Sequence, residues 1–246
     1  MENPEKKILL FLVEGSTDST SLGLVMSRLV ETADVRFAVL GGDLCYRYRI
    51  TAENAARTVM RPVNGFLQRY RLKKSDLIQI VHVIDTDGAF IPPTRVFHGG
   101  DERAHYAADK IVTLSDESMR ARNEMKTCAA EALSGLRSVE KIPYAFYFFS
   151  RNIEHVLHGR TDTLSSSEKR ALSEKFENEY AEHPESFVSL LNSGGVAVRG
   201  SYEDTWEYIM RGTNSLKRGT NFGLFFKAFP MKKVCERENV SGLDRA

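Results

Sequence analysis

Four carboxylates at the ends of two apolar runs carry the chemistry this sequence can offer. Ile8-Leu9-Leu10-Phe11-Leu12-Val13 leads straight into Glu14-Gly15-Ser16-Thr17-Asp18. Leu77-Ile78-Gln79-Ile80-Val81-His82-Val83-Ile84 leads into Asp85-Thr86-Asp87-Gly88. Carboxylate oxygens are hard ligands of the kind that bind Mg²⁺ or Mn²⁺. Brought to one spot, they repel unless a cation joins them. Asp85 and Asp87 are two apart, so in an extended segment both side chains leave the same side and can share one ion. Glu14 can complete the site or handle the proton on an attacking or leaving oxygen. Glu14, Asp85 and Asp87 are therefore the catalytic candidates, and the same three with Asp18 are the metal-ligand candidates. A local reading competes: strand-end Asp and Glu also cap helices and close turns. For Asp18, capping and a second-metal role both stay open.

These carboxylates meet only if both runs are neighbours in one sheet. Each run has the length and apolar composition of a buried parallel strand. In open parallel sheets, sites form in the crevice outside the carboxyl ends of the strands. After Gly15, a helix is expected from the stripe Leu22, Val25, Met26, Leu29 and Val30. Residues 35–40 read as the second strand, closed by Gly41-Gly42-Asp43, where paired glycines permit a positive φ or a close approach. Thr51 is placed to cap a helix with the stripe Ala56, Val59, Met60, Val63, Leu67 and Tyr70. Pro62 should kink or interrupt it.

Residues 88–110, with Pro92-Pro93 and Gly99-Gly100, read as a long irregular flap that begins at the carboxylates. Residues 111–114 read as a short strand. Residues 116–136 read as a helix facing inward with Met125, Cys128, Ala129, Ala132, Leu133 and Leu136, and residues 142–149 as a fourth long strand. The order predicts an α/β fold, a Rossmann-like parallel sheet flanked by helices, over residues 1–150. Residues 151–246 read as a mostly helical appendage. Its helices are expected near 152–158, 166–182, 185–191 and 202–210, the last with Ser201 and Asp204 as a capping box. A strand signal returns only at 222–226.

Composition narrows the classes. Of 246 residues, 42% are hydrophobic and 27% charged, as in a soluble globular protein, and the net charge is +1. A polyanion must therefore be met by a local patch. Cys45, Cys128 and Cys235 are odd in number and far apart. That points to reduced thiols in a cytoplasmic protein and away from a disulfide framework or thiolate zinc. No segment approaches a membrane span, so no membrane partner is expected. The first apolar run stops at Glu14 without a cleavage pattern and reads as a strand, not a signal peptide.

Candidate nucleic-acid contacts lie later in the chain. Arg151, with Asn152 and Glu154, follows the fourth strand and so starts at the carboxylate edge. Residues 211–233 carry Arg211, Lys217, Arg218, Lys227, Lys232 and Lys233 with no Asp or Glu, interleaved with Phe222, Phe225 and Phe226. Cations offset phosphate charge and aromatics can stack on bases. Lys217 and Arg218 are the expected phosphate contacts, with the phenylalanines mostly core. The basic run between Arg36 and Lys74 reads as a solvated helix face or a phosphate-facing surface. His155 and His158 are one helical turn apart but lack a third zinc ligand. His82 reads as a core histidine.

The motif set Val13-Glu14-Gly15-x-Thr17-Asp18, a Gly-Gly after the second strand and Asp85-x-Asp87-Gly88 after the third resembles the Toprim domain over roughly residues 7–150. That family includes type IA and type II topoisomerases, bacterial primases and small nucleases of the overcoming-lysogenization-defect class. The resemblance implies phosphodiester chemistry on nucleic acid with a divalent metal. It implies Glu14 as general acid or base and Asp85 and Asp87 as metal holders. No ATPase module, DNA-gate tyrosine domain or zinc ribbon is evident, which points to a free-standing nuclease of the kind found in anti-phage defence. A partner ATPase or another defence protein is then an expected partner. The other reading is a Toprim module that binds nucleic acid or protein and cuts only with a partner, or never.

Overall fold

β1 (Ile8–Val13) is buried along its whole length and its side chains alternate between two cores. Ile8, Leu10 and Leu12 enter one, while Leu9, Phe11 and Val13 enter the other. A strand has a period of two, so an unbroken apolar run is what a strand covered on both faces requires. The structure is a computed structural model, and it describes residues 7–162 and 164–229.

α1 (Ser16–Leu29), β2 (Asp34–Val39), α2 (Leu44–Arg47), α3 (Ala55–Tyr70) and β3 (Leu77–Asp85) follow β1. β4 (Val96–His98), β5 (His105–Tyr106) and β6 (Ile111–Thr113) form a small separate sheet. The chain returns through α4 (Asp116–Ser134), β7 (Ser138–Val139) and β8 (Ile142–Phe149). Then come α5 (Ile153–His158), α6 (Ser166–Ala181), α7 (Pro184–Leu191), α8 (Tyr202–Ile209) and α9 (Phe225–Ala228). The main sheet has the order β2-β1-β3-β8-β7. Its first four strands are parallel, and only β7 runs against β8. The fold is thus α/β, with a mostly parallel, Rossmann-like sheet between helices.

α3, α4 and α8 cover one face through Val59, Val63, Ala129, Leu133, Trp206 and Ile209. α1, α6 and α7 cover the other through Leu22, Val25, Phe176 and Phe187, joined by Phe222 and Phe225. Residues from both sides of position 150 therefore share each core. Among the described residues, no helix is long and apolar enough to cross a membrane.

Several local expectations change. α3 runs unbroken through Pro62. Val59, Met60, Val63, Phe66 and Leu67 are buried around it, and their burial offsets the lost hydrogen bond. α3 begins at Ala55, so Thr51 contributes its carbonyl, not its side chain, to the helix start. Residues 88–110 are not all irregular, because β4 and β5 pair with β6. The segment 222–226 is not a strand: Phe222–Leu224 is a 3₁₀ turn leading into α9. Its phenylalanines are core as expected, with Phe11 edge-on to Phe222 and Phe225 at 6.3 and 5.6 Å. Lys232, Lys233 and Cys235 lie outside the described residues.

Candidate functional site

β2 lies on one side of β1 and β3 on the other. The direction of winding therefore reverses at β1, and the crevice opens at the carboxyl ends of β1 and β3. Glu14 follows β1 and Asp85 ends β3. The loop after β2 is pinned to the same place, because the Gly42 N–H donates to the Glu14 carbonyl at 2.9 Å. Gly42 takes φ +126°, which side-chain-bearing residues rarely adopt, and this bend turns Asp43 into the crevice. Gly88 serves a second approach: a Cβ there would lie 2.6 Å from Asn123 of α4. Its absence lets α4 press its side chains against Asp87.

The side chain that α4 delivers is Lys126, only 1% exposed. Its ammonium lies 3.2 Å from Glu14 Oε1, 2.8 Å from Asp43 Oδ2 and 2.8 Å from Asp87 Oδ2. Arg122, one turn earlier, lies 3.3 Å from Asp87 Oδ2. Burial lowers the Lys126 affinity for its proton, but Asp87, Glu14 and Asp43 outweigh it and hold the ammonium charged well above the usual lysine range. Burial pushes Asp87 up, yet Lys126 and Arg122 win and hold its carboxyl below the ordinary value. Glu14 shares the same ammonium with two other carboxylates. Burial, with Asp43 and Asp87 beside it, pushes Glu14 up to about 8.

Asp85 and Asp87 part company. Asp87 has φ +48°, a left-handed conformation that breaks the alternation of an extended segment. The expectation that both side chains leave the same side therefore fails. The bend is fixed by Thr86, whose N–H donates to the Phe149 carbonyl and whose hydroxyl bonds the Ser215 carbonyl and the Arg151 N–H. Asp87 turns to Lys126, while Asp85 lines a small hollow with Asp18, Val13 and Ile153. Burial, then Asp18 and Glu14, raise Asp85 well above the carboxylate range. Asp18 does cap α1: its Oδ2 accepts from the Gly15 N–H at 2.8 Å. Burial, and Glu154 nearby, still push it up to about 6. Glu154 is buried on α5, its Oε1 3.0 Å from Lys169 Nζ, and its Oε2 has no hydrogen-bond partner.

The expected nucleic-acid residues have structural partners. Arg151 is buried, donates to the Thr161 carbonyl at 2.7 Å and stacks its guanidinium on Tyr106 at 5.0 Å. Arg218 Nε donates to the Val156 carbonyl in the last turn of α5. Lys217 is exposed and reaches Asn214 Oδ1. His82 is a core residue whose Nδ1 meets the Tyr144 hydroxyl at 2.8 Å.

The site residues that sequence reading left out are Asp43, Lys126, Arg122 and Lys169. Asp43 had a usable signal, since it follows a strand that ends at the same sheet edge. Lys126 had none, because a lysine is ordinarily placed on the wet face of a helix. The buried face of α4 is in fact Asn123, Lys126, Ala129, Ala130 and Leu133, with Cys128 exposed.

Glu14, Asp43 and Asp87 each offer a carboxylate oxygen within 4.8 Å of the others, an arrangement that could hold a metal ion. All-oxygen donors suit a hard cation. The unpartnered oxygen of Glu154 and the crowding of Asp85 agree with room for more positive charge. The chain matches no protein-family model, and comparison with curated proteins and with solved structures gave no match.

Proposed function

We propose that the chain is a divalent-metal-dependent nuclease that cuts phosphodiester bonds in DNA or RNA at the crevice between β1 and β3. The observation that carries this reading is an excess of buried carboxyl groups over cations. Glu14, Asp18, Asp43, Asp85, Asp87 and Glu154 outnumber Lys126, Arg122 and Lys169 around one crevice. An added Mg²⁺ or Mn²⁺ would relieve that excess and, once bound, would polarise a phosphoryl oxygen and lower the pKa of a water. Glu14, Asp43, Asp87 and Asp85 are the residues to hold it, with Asp18 and Glu154 behind them. Glu14, whose proton is held up to about 8, is the group to accept or return a proton at its carboxylate.

A neighbouring cleft supports a phosphate-bearing substrate. It measures about 630 Å³ and is lined by Ser16 and Thr17 at the start of α1, Ser166 and Ser167 at the start of α6, Lys169 and Arg170, with Glu174 as its one acid. Helix starts present free N–H groups and partial positive charge, which suit phosphate. The likeness of the Glu-Gly and Asp-x-Asp motifs to the Toprim domain supports the same reading, and is all that supports a defence role and a partner ATPase. The test is cleavage of plasmid, single-stranded DNA and tRNA with Mg²⁺ or Mn²⁺. Cutting should require metal and vanish in Asp85→Ala plus Asp87→Ala; cutting that survives both changes removes the reading.

One observation favours a second reading. Lys126 already neutralises part of the carboxylate set. A module that binds nucleic acid or protein without cutting needs no metal and would keep that arrangement. Tight binding with no turnover under any metal selects this reading, and turnover by the isolated chain removes it.

A further inference from the structure

We infer that Lys126 is the resident counter-ion of the carboxylate site, and that a divalent cation enters by displacing its ammonium from Glu14, Asp43 and Asp87. The inference rests on the metal-binding reading above and adds to it a residue and an order of events.

Three facts carry it. The Lys126 side chain is 1% exposed and stands within the buried stripe of α4, where an ammonium without partners would be strongly disfavoured. Its position is therefore set by the carboxylates and not by solvent. Its ammonium has three donors, and the three carboxylate oxygens nearest it are those of Glu14, Asp43 and Asp87, at 2.8 to 3.2 Å. These same three carboxylates offer the oxygens that could hold a metal ion. One hollow with one set of oxygens cannot bind an ammonium and a hard cation at bonding distance together. Mg²⁺ draws oxygens to about 2.1 Å, well inside the ammonium distance. Of these three carboxylates Arg122 reaches only Asp87, from the side, and it also donates to the Tyr106 hydroxyl.

Exchange has a thermodynamic signature that a merely structural lysine lacks. By linkage, whatever the ammonium contributes to holding the carboxylates is subtracted from the affinity for the metal. Removing the charge should therefore weaken the metal-free protein and strengthen metal binding together. A structural ion pair predicts the first effect without the second.

The experiment compares wild type, Lys126→Met and Lys126→Arg by thermal melting and by calorimetric titration with Mn²⁺. Lys126→Met should melt lower without metal, bind Mn²⁺ at least about tenfold more tightly, and gain more in melting temperature when Mn²⁺ is added. Lys126→Arg keeps the charge and should stay near wild-type affinity. Equal or weaker Mn²⁺ binding by Lys126→Met overturns the inference. So does equal tightening in Lys126→Arg, because charge is then not the cause. If Lys126→Met does not fold in metal-free buffer, refolding on addition of Mn²⁺ supports exchange and failure to refold overturns it. Mn²⁺ binding by Lys126→Met but not by wild type supports it. Absence of Mn²⁺ binding in every variant removes the metal reading itself, whereas identical binding in wild type and Lys126→Met removes this inference alone.

Discussion

Asp85 ends β3, paired with Phe149 of β8, and its side chain lines a hollow beside Asp18. Burial and its like-charged neighbours raise its pKa. A carboxyl whose proton is held more tightly in the folded chain gives its full stability in acid and loses it as pH rises past the ordinary carboxylate range. At neutral pH wild type therefore carries a cost, because folded Asp85 keeps a proton that the unfolded chain releases, and Asp85→Asn removes it. In metal-free buffer at pH 7 the variant should be more stable by about 1 kcal/mol, a rise of roughly 2–4 °C in Tm. The gap should close toward pH 4, and the variant should respond less to Mn²⁺. Melting curves of both proteins across pH, with and without Mn²⁺, check this; an equal Mn²⁺ response removes Asp85 from the ligand set. The position of Glu14, Asp85 and Asp87 at the carboxyl ends of β1 and β3 was legible in the sequence, because each sits where an apolar run stops. The left-handed bend at Asp87 was not, because Asp87 is not a glycine and its φ is imposed by bonds that tie Thr86 and Asp87 to Phe149, Arg151 and Ser215, all distant in sequence. Lys126 was hidden by its own type, since its burial depends on carboxylates supplied by three other segments.

α3 and β3 each hold one residue that works against its element. Pro62 sits inside α3, where proline is about 3 kcal/mol less favourable than alanine. It removes an N–H that would bond the Thr58 carbonyl. Pro62→Ala should therefore stabilise the chain by about 1–3 kcal/mol, a Tm rise of roughly 3–10 °C. A lower Tm would mean that the ring's packing outweighs the bond. His82 is fully buried in β3, and burial lowers its pKa to about 3 from 6.5. The folded chain then refuses a proton that the unfolded chain takes up below about 6.5. Its sign is opposite to that of Asp85: stability is lost as pH falls from about 6.5 toward about 3, by at most about 1.4 kcal/mol per pH unit. His82→Gln should show a shallower decline across that window in denaturant melts, and identical slopes would refute the assignment. The long elements were legible because α1, β1, β3 and β8 carry clean periods or unbroken apolar runs. The run at 222–226 was not, since four apolar residues around a glycine fit a strand or a helical turn equally and only packing beneath α7 decides.

Over the whole molecule, charge is sorted by edge more than by sum. The net charge is +1, yet the carboxyl edge of the sheet gathers the buried acids, and at the amino edge Lys7, Arg36, Arg71 and Lys73 outnumber Asp34 and Asp76 around a cavity of about 600 Å³. Arg36, Arg71 and Lys73 of the basic run thus lie at the edge opposite the acids, which the sequence could not reveal because the edge depends on strand direction. The cleft beside the acids depends on the C-terminal helices. α6 packs on α1, with the Ser21 and Ser173 hydroxyls bonded at 3.0 Å, and this packing sets the two helix starts side by side. Lys169 is partly committed to Glu154, whereas Arg170 is exposed at the cleft. If the phosphate backbone lies in that cleft, Arg170→Glu should weaken binding to single-stranded DNA or RNA. It should also lower the slope of log K against log salt by roughly 0.7, because one phosphate is no longer neutralised by a side chain. Arg71→Glu makes the same charge change at the opposite edge and should leave both affinity and slope nearly unchanged at moderate salt, where exposed charges are screened beyond about 10 Å. Binding isotherms at several salt concentrations separate the two. Equal losses from both variants would mean that the polyanion senses overall charge, and a larger loss from Arg71→Glu would move the binding surface to the amino edge of the sheet.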